Sequence, residues 1–310
     1  MTKILHDTAE FHEHADECVV TIGVFDGVHR GHQEIISECV EESRRRGIAS
    51  VALTFDANPR KVVSGDPPCV IMDRERKMRI IRELAVDYAI EIKFTKRFAS
   101  LEPEDFCRTV LAEHLGARQV CVGANFHFGR GGKGDVGTLA EWGDVLGYDL
   151  DVIPLVCVGG SCISSTMIRG LIRAGEVEQV GRGLGRPYSV LGKVVPGHSR
   201  GKGLGFPTAN LGLERHFCIP ADGVYGGKAL LGPGKFTCAI NVGSNPTFGD
   251  EELALEVYLL EFAGEIYGET LEVEFHHRLR EEIAFEDEGK LVRQMEKDVE
   301  KARSLLRGTG

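Results

Sequence analysis

Short runs of apolar, often β-branched residues alternate with longer amphipathic stretches over the first half of the chain. Five such runs predict strands at residues 19–25, 50–56, 88–94, 119–123 and 150–156. Between them, helical spacing predicts helices at residues 33–46 and 104–115. This alternation is typical of an α/β doubly wound domain, in which helices cover both faces of a parallel sheet.

The hydrophobic pattern changes beyond the segment G-R-G-L-G-R-P. Strand-like runs dominate there, at residues 189–195, 227–231, 236–242, 253–262 and 270–275. Short strands separated by Gly, Pro and Asn predict a compact barrel or sandwich. Apolar residues at helical intervals after Asp287 predict a C-terminal helix. We therefore predict two domains, residues 1–183 and 184–310.

Composition narrows the classes of function. The chain has 310 residues and a net charge of −10, which argues against a nucleic-acid partner. We find neither a signal peptide nor an apolar run of about 20 residues that could span a bilayer, so we expect a cytoplasmic protein without membrane contact. The nine cysteines lack a C-x-x-C pair and are expected to be buried thiols in a reducing compartment. Oligomeric state stays open.

One segment, T-I-G-V-F-D-G-V-H-R-G-H-Q at residues 21–33, carries unusual chemistry. A predicted strand leads through glycines into a helix, and such a helix start binds phosphate through free N–H groups and the helix dipole. His29 and His32 are three residues apart and should share a face of the first turn. They would stabilise charge on a phosphoryl group, or alternatively cap and solvate the helix.

The pattern G-x-F-D-G-x-H-x-G-H resembles the nucleotide-binding motif of the FMN adenylyltransferase half of bacterial bifunctional riboflavin kinase/FAD synthetases, within the nucleotidyltransferase superfamily. The resemblance implies transfer of AMP from ATP to FMN with release of pyrophosphate. It makes His29 and His32 catalytic, and it implies ATP contacts from Gly23, Phe25, Asp26 and Gly31.

Three further segments fit the same family. T-F-D-A-N-P at residues 54–59 implies a phosphate contact from Asn58, although Ala57 stands where proline is common. G-A-N-F-H-F-G at residues 123–129 implies flavin contacts from Asn125, Phe126 and Phe128. I-S-S-T-M-I-R at residues 163–169 implies triphosphate contacts from Ser164, Ser165, Thr166 and Arg169. From the residues alone, the hydroxyls could equally be helix caps, and Arg169 a surface arginine.

The segment G-F-P-T-A-N at residues 205–210 resembles the signature of riboflavin kinases, which implies a small antiparallel β-barrel for the second domain. By resemblance, Thr208 and Asn210 hold Mg²⁺ and the phosphates of ATP. The ATP and flavin contacts are expected from Gly201, Gly203, Gly205, Phe206 and Pro207. The glycine spacing does not match a P-loop. Without the resemblance, Pro-Thr-Ala-Asn would be interpreted as a turn joining two strands.

Glu256 lies in an apolar segment, L-A-L-E-V-Y-L-L, where a carboxylate should be ion-paired or act as a base. The resemblance assigns it the proton of the riboflavin 5′-hydroxyl, and it assigns Arg280 to the flavin side. Tyr258 stands where histidine is common.

We therefore expect a bifunctional enzyme that converts riboflavin and ATP into FMN and ADP, and then FMN and ATP into FAD and pyrophosphate. Three alternatives remain: a chain with one active half, a flavin-binding protein without catalysis, and adenylylation of another acceptor.

Overall fold

The computed structural model describes residues 2–196, 206–214, 216–245 and 252–307. The chain divides into two compact units, Met1–Ser165 and Thr166–Gly310.

A six-stranded parallel sheet forms the centre of the N-terminal unit, in the order β1-β4-β3-β2-β5-β6. The predicted doubly wound sheet is confirmed. Strand β1 was not predicted, because three residues are too few to show a period. The strands are β1 (Lys3–Leu5), β2 (Cys18–Ile22), β3 (Ala49–Phe55), β4 (Tyr88–Ile92), β5 (Ala117–Gly123) and β6 (Asp149–Ile153).

Helices cover both faces of this sheet. On one face, Phe106, Val110 and Leu111 pack against alternate strand residues, and on the other Ile36 and Ile81 do so. Burial on both faces explains why the central strands are predominantly apolar. The helices are α1 (Arg30–Arg46), α2 (Pro59–Val63), α3 (Arg74–Glu83), α4 (Lys96–Ala99), α5 (Pro103–Asp105), which continues as a π-helix over Phe106–His114, and α6 (Val136–Leu146), with 3₁₀ turns at Thr8–Glu13 and Arg130–Gly132.

A short hairpin, β7 (Cys157–Val158) and β8 (Ser161–Cys162), follows the sheet. Gly159 and Gly160 form its turn at positive φ, so Cys157 and Cys162 lie opposite each other and form a disulfide. The expectation of buried thiols is therefore wrong for this pair. It is confirmed for five free cysteines, namely Cys18, Cys39, Cys107, Cys121 and Cys238.

Helix α7 (Ser165–Arg173) begins at the last residue of the N-terminal unit. The C-terminal unit further contains α8 (Val177–Leu184) and a closed antiparallel barrel in the order β10-β13-β12-β11-β14-β9. The predicted barrel and C-terminal helix are confirmed. Helix α9 (Glu288–Leu306) covers part of the outer wall, where Ala302 packs against Val224 and Leu279. The strands are β9 (Tyr188–Val195), β10 (Ala209–Gly212), β11 (Gly223–Leu231), β12 (Gly234–Asn245), β13 (Glu252–Leu259) and β14 (Thr270–Arg280).

Barrel closure brings two backbones unusually close at Gly227. A Cβ atom at this position would lie 1.9 Å from the carbonyl oxygen of Glu274 and 2.8 Å from Ile240 Cδ1. The register of β11 against β14 shifts between Gly226 and Gly227, which marks a local bulge. A side chain here would force the strands apart.

We predict that Gly227→Ala destabilises the barrel by about 1–3 kcal/mol, the usual cost of overpacking. Calorimetry should show a lower unfolding temperature for the C-terminal unit. Gly170→Ala is the matched control, since a Cβ there meets nothing within 4 Å and helix α7 should gain about 1 kcal/mol. Equal melting of Gly227→Ala and the wild type would contradict the close approach.

Candidate active sites

The turn between β2 and α1 is strained. Strand β2 ends at Ile22, so the sequence-based strand end at residue 25 is wrong by three residues. Phe25 and Val28 have φ values of 50° and 33°, and Gly27 has 81°. Positive φ is rare for bulky and β-branched residues. Burial of the Phe25 and Val28 side chains holds the backbone in this conformation, and such strain is characteristic of ligand-binding turns.

His29 and His32 meet at the start of α1. His29 caps the helix, and its Nδ1 accepts a hydrogen bond from the backbone N–H of His32 at 3.3 Å. The two rings stack with centroids 3.6 Å apart and an interplanar angle of 18°. The predicted juxtaposition of the two imidazoles is therefore confirmed.

Two predicted glycines allow the rings of this turn to approach the backbone. A Cβ at Gly23 would lie 2.6 Å from the Phe25 ring, and one at Gly31 would lie 3.3 Å from the His29 ring. The Phe25 ring also meets His32 edge-on at 5.3 Å. Side chains at these glycines would displace the aromatic and imidazole rings.

Burial holds the pKa of His32 well below its usual value, and the neighbouring His29 lowers it further. His32 is therefore neutral at pH 7. Its Nδ1 atom is buried and has no hydrogen-bond partner among the residues the structure describes. A neutral imidazole offers one donor and one acceptor nitrogen to a ligand.

Strand β3 ends beside this turn, and polar groups there are held by backbone N–H groups. Asn58 caps α2 by accepting a hydrogen bond from Arg60 N at 3.0 Å. Asp26 is buried, and its carboxylate accepts hydrogen bonds from Ile71 N at 3.0 and 3.3 Å. Both predicted phosphate contacts thus lie at the carboxyl edge of the sheet, with side-chain oxygens already engaged.

The predicted flavin residues follow β5 at the same edge. Asn125 is exposed, Phe126 is partly buried, and Phe128 is buried against Phe106 with centroids 5.3 Å apart. The rings of Phe126 and Phe128 stack at 5.7 Å. Phe128 is therefore a core side chain that supports Phe126, rather than an exposed wall itself.

Helix α7 begins at Ser165, as the sequence predicts. The Ser165 hydroxyl donates to the backbone oxygen of Asp26 at 3.0 Å, so it ties the helix start to the strained turn. Ser164 is half-buried and Thr166 is exposed. Arg169 is 9% exposed, which excludes the alternative of a surface arginine.

On the barrel, two of the predicted kinase residues, Asn210 and Glu256, lie in one row with Asn241. Asn210 of β10 pairs with Glu256 of β13, and Glu256 pairs with Asn241 of β12. Directly opposed residues of antiparallel strands share a face. Leu255 and Val257, the residues on either side of Glu256 in β13, are buried, whereas Glu256 is half-buried on the outer face of the barrel. Glu256 is thus accessible to substrate from outside the barrel.

The Pro-Thr-Ala-Asn segment enters strand β10 at Ala209, so its interpretation as a turn is wrong. Phe206 packs against Tyr258 with ring centroids 5.2 Å apart, which fixes the segment beside β13. Thr208 and Pro207 lie between this contact and the strand. Gly201, Gly203 and Gly205 fall outside the described residues.

Arg280 is the last residue of β14. Its guanidinium contacts the buried Asp298 carboxylate of α9 at 2.9–3.1 Å and lies 5.8 Å from the Phe285 ring centroid. This ion pair anchors α9 to the barrel. A flavin contact by Arg280 stays a prediction.

Sequence reasoning did not single out two residues of these sites, Asn241 and Lys77. Asn241 is found only through the register of β12 against β13, which places it opposite Glu256. Lys77 is 7% exposed, although it lies in the charged segment R-E-R-K-M-R. The available signal was its helical spacing from Ile80 and Ile81, which places a cation on the apolar face.

Two family models match the chain. The FAD synthetase model covers residues 11–167, which is half of the chain, and the riboflavin kinase model covers residues 184–306. A bifunctional riboflavin kinase/FMN adenylyltransferase of Escherichia coli is 35% identical over 291 residues, 93% of each chain. The chain belongs to the bifunctional riboflavin kinase/FMN adenylyltransferase family. The prediction of a bifunctional enzyme of flavin cofactor biosynthesis is confirmed.

Two further relatives are similar along almost their whole lengths. The family member of Bacillus subtilis is 32% identical over 314 residues, 97% of each chain. A crystal structure from Streptococcus pneumoniae, described as a macrolide-efflux protein, is 30% identical, has a TM-score of 0.87 and spans 97% of this chain and 98% of its own. In the chain described here, none of the helices within the described residues is long and apolar enough to cross a membrane.

We predict that the low pKa of His32 makes the N-terminal unit less stable in mild acid. Below about pH 6.5, this histidine binds a proton in the unfolded chain but stays neutral in the folded protein. The free energy of unfolding is therefore fully retained above about pH 6.5 and decreases as the pH falls below it. Between pH 7 and pH 5.5, His32→Asn should lose about 1 kcal/mol less stability than the wild type.

Urea unfolding followed by fluorescence measures this difference, because the single tryptophan, Trp142, packs on the core of the N-terminal unit. The matched control is His6→Asn at an exposed position, which should keep the wild-type pH dependence. Identical acid sensitivity of His32→Asn and the wild type would contradict the prediction.

Proposed function

We propose that the turn between β2 and α1 binds the triphosphate of ATP and that FMN attacks its α-phosphorus there. The observation that carries this proposal is the stacked His29–His32 pair at the N-terminus of a 17-residue helix. Free N–H groups and the helix dipole favour phosphate at this position. Gly23, Phe25, Asp26 and Gly31 shape the backbone around it.

In this proposal the two histidines have different tasks. His29 holds His32 by accepting its backbone N–H, so the second ring keeps a fixed orientation. Neutral His32 donates a hydrogen bond to the phosphoryl oxygen on which charge grows as pyrophosphate leaves. Ser164, Thr166, Arg169 and Asn58 are proposed to contact the triphosphate, and Ser165 to fix the turn. Asn125 and Phe126 are proposed to contact the flavin, with Phe128 behind them.

We propose that the row Asn210–Glu256–Asn241 is the phosphoryl-transfer site of the barrel. Glu256 accepts the proton of the riboflavin 5′-hydroxyl as the oxygen attacks the γ-phosphorus, and ADP leaves. The two flanking amides can donate hydrogen bonds that orient the carboxylate. Phe206 and Pro207 border the site, and Gly201, Gly203, Gly205 and Arg280 are proposed ATP and flavin contacts.

A magnesium ion fits the barrel site by its donor set. Thr208 and Asn210 supply hydroxyl and amide oxygens, which are the hard ligands that Mg²⁺ accepts beside phosphate oxygens. When bound, the ion would neutralise charge on the transferred phosphoryl group. Thr208 precedes β10 and Asn210 lies within it, two residues apart, so their side chains extend from the same side of an extended chain.

We further propose a cytoplasmic enzyme that acts on small molecules, with a domain boundary near residue 183, C-terminal to the division of the two compact units after Ser165. The family models leave residues 168–183 unmatched, which supports a boundary in this region.

The experiment that tests both roles is incubation of the protein with riboflavin, ATP and Mg²⁺, with the flavins resolved by chromatography. We expect FMN first and FAD after it. Supplying FMN directly tests the second reaction alone. Recovery of unchanged riboflavin and FMN would refute the proposal, and flavin binding without turnover would favour the non-catalytic alternative.

We predict that His32→Ala lowers FAD formation about 100-fold or more while FMN formation from riboflavin persists. Both rates are measured on the same preparation. Loss of both activities to the same extent would mean that His32 acts through folding of the whole chain.

We predict that Glu256→Gln lowers FMN formation about 100-fold or more while FAD formation from supplied FMN persists. Gln keeps the shape of the side chain and removes the base. Glu265→Gln, at an exposed loop position, serves as the matched control and should leave both rates unchanged. A normal kinase rate in Glu256→Gln would exclude its role as the base.

A further inference from the structure

Helix α3 places a lysine side chain beneath the adenylyl-transfer site. Lys77 Nζ donates to the backbone oxygen of Phe55 at 2.6 Å and to Thr54 Oγ1 at 3.2 Å. Phe55 is the last residue of β3, three positions before Asn58. Burying an ammonium group is costly unless it is well bonded, so these contacts must be strong enough to keep it there.

The contacts of Lys77 extend to the strained turn. The Thr54 hydroxyl, which accepts from Lys77, donates onward to the backbone oxygen of Val24 at 3.3 Å. Val24 directly precedes Phe25, where the backbone enters positive φ. One ammonium group thus links the segment that leads to Asn58 with the segment that leads to His29 and His32.

The charges around Lys77 come from four elements. Glu91 of β4 lies 3.9 Å away, Asp26 follows β2, Asp56 follows β3, and Arg74 lies on α3 itself. The Glu91 carboxylate is 1% exposed and pairs with Arg74 through Oε2 at 2.5 Å, while its Oε1 has no hydrogen-bond partner among the described residues. The Lys77 ammonium group lies 3.9 Å from this buried Oε1 and supplies a positive charge beside it.

We propose that Lys77 is a positioning residue for adenylyl transfer, holding the carboxyl end of β3 and the turn before His29 in the geometry that accepts ATP and FMN. The proposal rests on the adenylyl-transfer role of this unit. Lys77 does not touch substrate in this assignment. It acts through Thr54, Phe55 and Val24, and a small displacement of these would misplace the reacting groups.

A purely structural role must be separated from positioning. Lys77→Met removes the positive charge and its hydrogen bonds to Thr54 and Phe55. The buried negative charge of Glu91 then loses one of its neighbouring cations. Combining it with Glu91→Gln restores charge balance but not the bonds to Thr54 and Phe55. We expect the double variant to regain stability, measured by urea unfolding with Trp142 fluorescence, relative to Lys77→Met alone.

Positioning predicts that the double variant, though stable, has kcat for FAD formation from FMN about 10- to 100-fold below that of Glu91→Gln, with KM for ATP changed less. Riboflavin phosphorylation by the same preparation should stay at the wild-type rate. Full recovery of kcat in the stable double variant would overturn the proposal, as would a wild-type kcat in Lys77→Met.

A pH profile gives an independent measurement. Desolvation lowers the pKa of Lys77, so its proton leaves at lower pH than from an exposed lysine and the FAD-forming rate should fall on the alkaline side. Lys77→Met should lack this alkaline limb, and a limb kept in the variant would count against the proposal. Absence of FAD formation by the wild type would instead refute the proposed function itself.

Discussion

The parallel pairing of β2 with β3 and β5 is the interaction on which the proposed adenylyl-transfer site depends. Parallel pairing brings the carboxyl ends of these strands to one edge, so three segments far apart in sequence meet there. The segments carry His29 and His32, then Asn58, then Asn125 and Phe126. An antiparallel partner would send one of them to the opposite edge.

Polar groups are placed differently on the barrel. There the row Asn210–Glu256–Asn241 arises from the register of β10, β13 and β12, and within the described ranges no helix terminus contributes. The N-terminal site uses a strained turn and a helix start, whereas the barrel uses the alternation of an extended chain. The two proposed phosphate-transfer sites thus depend on different kinds of local structure.

Much of this arrangement follows from the sequence, for identifiable reasons. The proximity of the two histidines could be predicted because a spacing of three is fixed by helix geometry, and five of the six barrel strands because Gly and Pro separate them. The end of β2 could not, since Val24 and Phe25 continue the apolar run although the strand ends at Ile22 and φ becomes positive at Phe25. Lys77 and Asn241 depend on tertiary contacts and on cross-strand register, which a single sequence does not display. Engagement of Ser165 with Asp26 is equally non-local.

The closed barrel has a consequence for tolerance to sequence change. Leu255 and Val257 fill the interior while Glu256 faces outward, so a substitution at Glu256, the proposed base, leaves the packing of the core unchanged. An insertion or deletion of one residue early in β13 would have the opposite effect. It would exchange inward and outward positions, bury the carboxylate among apolar side chains and expose valine in its place. Strand β13 should therefore tolerate substitutions at its outward positions far better than insertions or deletions.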